Sequence, residues 1–211
     1  MKKLFQFYYI SATFILLFSC GSPDSVKDAK KENAEKIDSQ MNTTANIDSS
    51  KMPSRADADF LVNAASGAMM EVQLGELAQT NSRNQRVKRF GSMMIKDHGE
   101  GLEKLKDLAS SANLTLSDSI SRRQQKEKDE LKKKKGIAFD QAYIDMMIAD
   151  HKNDISEFEH EATNGTHEAI KSLASDNLKI LHTHLDSATN IQKLVGKVPA
   201  STTSTYPTLE K

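Results

Sequence analysis

The sequence has no tryptophan, a single cysteine, four prolines and nine glycines among 211 residues. A lone cysteine excludes an internal disulfide and leaves no thiol nucleophile in a folded domain. So few glycines and prolines, set against abundant Ala, Leu, Lys, Glu, Asp and Met, favour helix over strand. Net charge is also missing. Acidic and basic residues balance at 29 each, so no global field draws the chain to nucleic acid or to an anionic membrane surface. Neither a nucleophile elbow nor a glycine-rich phosphate loop is present. A non-enzymatic protein acting in interaction or stress tolerance is the first expectation, and a transition-metal-binding protein with redox activity is the alternative.

What is present begins with a targeting segment. Lys2 and Lys3 precede an apolar run from Leu4 to Phe18, and Ser19-Cys20-Gly21 follows. The run is short for a membrane-spanning helix. A small residue directly before a cysteine at the end of such a run resembles the bacterial lipoprotein signal. Residues 1–19 are therefore expected to be removed and Cys20 to carry a lipid, which would tether the protein in the cell envelope at the outer membrane, facing the periplasm. An ordinary secretory signal or a short anchor is the alternative. Residues 20–54 are rich in Ser, Asp, Lys, Asn and Thr without a sustained apolar period, and predict a flexible tether. The Thr/Ser/Pro-rich residues 196–211 predict a disordered tail.

Residues 55–195 carry four blocks of three-and-four apolar spacing, each the mark of a helix with one buried face. The first starts after Ser54, with Asp57 placed to complete a capping box. The second is expected from Ser82, with Gln85 in the same relation, and Asn113 as a left-handed stop. The third runs over 137–163 and ends at Asn164-Gly165. The fourth is expected to be capped by Thr166. Residues 114–136 hold Arg122, Arg123, Lys126, Lys128 and the run Lys132 to Lys135 with few apolar residues. This segment reads as a solvated crossover or as a surface for phosphates or anionic lipid, though it has no aromatics to stack on bases. As a helix of bundle length it would make the second and third long helices parallel. The fold class is all-α, a four-helix bundle with a long crossover.

One internal similarity ties the second and third blocks together. Phe90-Gly91-Ser92-Met93-Met94-Ile95-Lys96-Asp97-His98 matches Tyr143-Ile144-Asp145-Met146-Met147-Ile148-Ala149-Asp150-His151.

Each apolar seam is interrupted once by a polar residue near its middle: Glu71, His98, His151 and His184. Helix midpoints share one layer of a bundle, so one carboxyl and three imidazoles are expected to converge. An unpartnered polar group in an apolar core costs about 1–3 kcal/mol. The four either satisfy one another as a polar layer that sets helix register, or bind a metal such as zinc, copper or iron. Titration of buried histidines is a third possibility. Asp97 and Asp150, each beside a histidine, are expected to orient an imidazole or complete the ligand set. Three methionine pairs, Met69-Met70, Met93-Met94 and Met146-Met147, flank these positions and read either as packing or as soft ligands. His160, His167 and His182 lie off the seams and are expected at the surface.

The strings Glu71-Val72-Gln73-Leu74-Gly75-Glu76-Leu77-Ala78, Phe90 through Met94, Asp97-His98, Tyr143 through Met147, Asp150-His151 and His184-Leu185 resemble the bacterial domain of unknown function 4142 family. The likeness extends over about residues 58–190. It implies a ferritin-like, exported protein without an assigned activity. Di-iron ferritin-like sites use a Glu-x-x-His pair on each of two helices and a glutamate from each of the others. Here aspartate precedes histidine and only one seam glutamate is evident, which argues against ferroxidase chemistry. The partners expected are a membrane, through the lipid, and a second copy or another envelope protein, with no nucleic acid.

Overall fold

A computed structural model describes residues 24–43 and 52–195. The signal segment, Cys20 and the tail at 196–211 lie outside these residues. Six helices are described: α1 (Ser25–Thr43), α2 (Arg55–Asn81), α3 (Gln85–Ser111), α4 (Arg122–Lys132), α5 (Gly136–Asn164) and α6 (Glu168–Val195). None is long and apolar enough to cross a membrane.

The four long helices form a ferritin-like bundle from two hairpins, α2 with α3 and α5 with α6, joined through α2–α5 and α3–α6 contacts. Local chemistry sets the boundaries. Ser54 and Asp57 form the expected reciprocal capping box. Asn113 takes φ 56° and stops α3 as expected. The start of α3 differs from expectation: Asn84, not Ser82, accepts from the backbone of Arg86, while Ser82 closes α2. Thr166 does not cap α6 either, because its hydroxyl and its backbone N–H both go to the Asp57 carboxylate.

The helices α3 and α5 run parallel. Phe90, early in α3, meets Tyr143, early in α5, edge-on at 6.1 Å. Leu105 and Ala109, late in α3, share a cluster with Phe158 and Ala162, late in α5. The connection between them is not one long helix. It is an extended stretch over 114–121 followed by the 11-residue α4, about 16 Å long. Buried Ile120 and Leu131 pin it to the bundle. Ser66 donates to Gln124 at 2.6 Å and Lys128 donates to Gln73 at 2.5 Å, which holds α4 against α2.

The largest departure from expectation is α1, which occupies most of the segment read as a tether. It packs on α2 and buries Ala29, Asn33 and Ile37, spaced by four. Asn33 binds the backbone of Thr115 in both directions, donating to its carbonyl at 2.9 Å and accepting from its N–H at 2.7 Å. With α1 and α4 covering it, α2 buries Leu61, Val62, Ala65 and Ala68 together with Phe60, Leu74 and Ala78, whereas Ala64 and Gly67 are half-buried.

The apolar interior is split in two. One cluster centres on Leu74, Phe90, Met94, Phe139, Tyr143 and Met147. The other centres on Phe60, Leu61, Leu105 and Ile170. His98, His151 and His184 fall between them along their helices, and Glu71 lies at the near edge of the first cluster, just after Met70.

Candidate metal centre

The four seam residues do converge, each from a different long helix. The side chains of Glu71, His151 and His184 are 3%, 0% and 1% exposed, and that of His98 is 11% exposed. The ring centroids of the three histidines stand 5.1–5.5 Å apart. One ring nitrogen from each lies within 4.8 Å of the others.

The hydrogen-bond partners assign the protons. His151 Nδ1 donates to the Met147 carbonyl at 2.9 Å and also lies 3.2 Å from Glu71 Oε1. A carbonyl can only accept, so Nδ1 carries the proton and Nε2 is a lone pair. His184 Nε2 donates to Asp97 Oδ2 at 3.0 Å, so in the neutral ring Nδ1 is the lone pair. These two free nitrogens, His151 Nε2 and His184 Nδ1, face each other at 3.2 Å. His98 Nδ1 donates to Glu71 Oε2 at 2.8 Å, and its Nε2 is buried without a hydrogen-bond partner. In each imidazole one nitrogen is held by a fixed acceptor and the other is left over. That is how proteins orient metal-binding histidines.

The electrostatics keep two of the rings neutral. Burial drives His184 down, and although Asp97 pulls the other way, His98 and His151 add to the effect and its pKa falls to about 4. Burial also lowers His151, with Glu71 opposing and His98 assisting. For His98, burial is outweighed by the charge and hydrogen bond of Glu71, and its pKa is raised. Burial would raise Glu71, but His98, His151 and His184 together hold it below the usual carboxylate range.

A scan against family models matches residues 42–191 to "Domain of unknown function (DUF4142)". The chain belongs to the DUF4142 family. The match begins at the end of α1 and ends inside α6, so all four polar residues, from Glu71 to His184, lie within it. The crystal structure of a DUF305 fragment from Deinococcus radiodurans is similar, with a TM-score of 0.61 at 10% identity, over 70% of this chain and 99% of that one. At that identity the likeness concerns the fold alone. No curated protein matches the chain.

The DUF4142 domain thus brings together His98, His151 and His184 as candidate ligands. Glu71 and Asp97 stand behind them as acceptors. Asp150 is not joined to any of the three rings by a hydrogen bond. It lines a cleft of 520 Å³ between α2, α4 and α5, together with Asp154. Burial and the nearby Glu71 charge push Asp150 up to about 6. Asp154 went unnoticed in the sequence, although it lies one helical turn beyond Asp150, with Glu157 a further turn on. The methionine pairs belong to one apolar cluster, where Met70, Met94 and Met147 are buried and Met69, Met93 and Met146 pack against them. His160 and His182 are exposed as expected, whereas His167 is half-buried. With a single glutamate in the layer, the residues present do not fit a di-iron centre.

Proposed function

We propose that the chain is a lipid-anchored envelope protein whose bundle holds one transition-metal ion on His98, His151 and His184, with Glu71 and Asp97 orienting the imidazoles. The observation that carries this reading is the pair of free ring nitrogens, His151 Nε2 and His184 Nδ1, 3.2 Å apart in a buried layer. As neutral groups they repel, and a cation between them removes the conflict. Two imidazole nitrogens bound to one tetrahedral metal at about 2.0–2.1 Å stand about 3.3 Å apart. The third nitrogen, within 4.8 Å of the others, needs a shift on the order of 1 Å to join them. Imidazole donors suit zinc, copper and iron alike. Three protein ligands leave a fourth position for water or an exogenous ligand.

The test is elemental analysis of the purified native protein, followed by melting with Zn²⁺, Cu²⁺ and Co²⁺. One equivalent of metal is expected, and a metal at 100 times its Kd should add about 2.7 kcal/mol of stability. No bound metal, together with no shift in melting temperature, would leave the layer as a register-setting hydrogen-bond network. The anchor is tested separately: Cys20→Ala should move the protein from the membrane to the soluble fraction and abolish incorporation of labelled fatty acid. Unchanged fractionation and labelling would remove the anchor from the proposal.

A further inference from the structure

Two cavities flank Glu71, the carboxyl of the histidine layer. The larger is the 520 Å³ cleft, lined by the carboxylates of Glu71, Glu127, Asp150, Asp154 and Glu157. Arg123 is the one basic residue in its lining, and it pairs with Glu127 at 2.7 Å. The smaller cavity, of 40 Å³, touches His98, His184 and Asp97 and is otherwise walled largely by apolar side chains such as Leu105 and Phe158. It has room for about one water-sized body. Gly67, Glu71 and Asp154 line both cavities, so their walls share these three residues.

The shared wall carries little bulk at Gly67. A Cβ placed on Gly67 would meet nothing within 4 Å. Glu71 Oε1 is buried 3.2 Å from His151 Nδ1, whose proton goes to the Met147 carbonyl, and its residue lines the cleft. Among the described residues Asp154 makes no hydrogen bond or ion pair, and burial, with the fields of Glu71, Asp150 and Glu157, holds its carboxyl well above its ordinary pKa. A surface that gathers this many carboxylates around so little positive charge attracts cations and raises their local concentration.

We propose that the acidic cleft between α2, α4 and α5 is the loading vestibule of the histidine site, where a divalent cation is first held by Asp154 and Glu157 and then passes beside Gly67 to the imidazoles. The inference rests on the metal-binding reading above. Carboxylate oxygens exchange readily with the water around an arriving ion, whereas the imidazoles beyond the wall are sheltered from solvent. Glu71 faces both spaces and is positioned to escort the ion across. The vestibule governs the rate at which the site fills and empties, and the histidines govern how tightly it holds.

Stopped-flow uptake of Co²⁺ by the mature chain, followed through its visible absorption, tests this. The variants are Asp154→Asn with Glu157→Gln, and Gly67→Leu, each checked for native melting. Both should slow uptake about tenfold or more at low salt, and should slow release into a chelator by a similar factor, leaving the affinity close to that of the unmodified chain. The carboxylate variant should also lose most of the salt dependence of uptake. Unchanged rates in both variants would overturn the vestibule. So would a fall in Co²⁺ stoichiometry in the carboxylate variant, which would make the cleft a resident site. If the unmodified chain takes up no Co²⁺ at all, it is the histidine reading that fails, and the two failures are distinguishable.

Discussion

Asp97 Oδ2 accepts from His184 Nε2 at 3.0 Å, and this contact decides which nitrogen of His184 keeps its lone pair. Asp97 is at the rim of the layer, 23% exposed, and also binds Lys96 at 3.1 Å. It serves both the fold, as the acceptor for a buried N–H, and the orientation of His184. Replacement by alanine, Asp97→Ala, should weaken metal affinity by about 10–100-fold, the usual effect of removing a group that orients a ligand. The metal-free protein should lose about 1–3 kcal/mol, because the buried His184 N–H is left without its acceptor. Competition titration against a chromophoric chelator measures the first effect and chemical denaturation the second. An unchanged affinity would deny Asp97 its orienting role.

A second pair, Gly75 and Gly91, lets α2 and α3 approach closely enough for Glu71 to reach His98. A Cβ on Gly75 would lie 2.6 Å from the Gly91 carbonyl oxygen, and one on Gly91 would lie 2.8 Å from Ala78 Cβ. Alanine at either position should cost about 1–3 kcal/mol through overpacking, and should reduce metal affinity by separating Glu71 from His98. On the same helix α3, a Cβ added at Gly99 or Gly101 would meet nothing within 4 Å. Alanine there should stabilise the protein by up to about 1 kcal/mol, the helix-propensity gain alone. Denaturant melts of the four variants check the contrast, and four similar shifts would refute it.

Much of this arrangement can be read from residue spacing. The four polar interruptions of the seams mark the layer because a bundle aligns helix midpoints, and the Asn113 stop and the Ser54 capping box are local chemistry that tertiary contacts do not override. The helix α1 is hidden for a physical reason. The centre of its buried stripe is Asn33, whose amide is matched by the backbone of Thr115, a partner more than 80 positions away that no local pattern reveals. The short α4 is hidden in the opposite way: its charged surface looks like a solvated loop, and the apolar residues that anchor it, Ile120 and Leu131, are too few to make a seam. The stripe Asp150, Asp154 and Glu157 has helical spacing, but acidic stripes usually face water, and the cleft that encloses this one is made by α4.

Glu71 is expected to matter to the empty protein as well as to the loaded one. Its carboxylate accepts from His98 at 2.8 Å, is 3.2 Å from His151 Nδ1 and holds His98 above its ordinary pKa against the effect of burial. In Glu71→Gln the charge is gone and an amide N–H₂ is left among donors. The metal-free protein should lose about 1–3 kcal/mol, and the His98 pKa followed by NMR should drop below its ordinary 6.5. A His98 titration that did not move would mean that the carboxylate does not control this ring.

The turn between α5 and α6 carries a pH dependence separate from the metal layer. Burial, aided by its contact with Asp57, pushes Glu161 up to about 7 from an ordinary 4.5. Burial would raise Asp57 too, but hydrogen bonds from Thr166 and Ser54 bring it down to about 2 from 3.8. A raised acid keeps its proton in the folded state after the unfolded chain has lost it. Glu161 therefore contributes stability fully below pH 4.5 and loses it as pH rises to about 7. Asp57 has the opposite sign, contributing above pH 3.8 and losing that contribution as pH falls towards 2. His184, lowered to about 4 from 6.5, loses its contribution as pH falls through an overlapping window, so the total melting curve mixes signs. The difference between the unmodified chain and Glu161→Gln isolates the turn, since the amide cannot ionise. Relative to the variant, the melting temperature of the unmodified chain should fall between pH 4.5 and 7 and then level off. Parallel curves across that range would show that Glu161 titrates as an ordinary exposed glutamate and that its burial against Asp57 does not persist in solution.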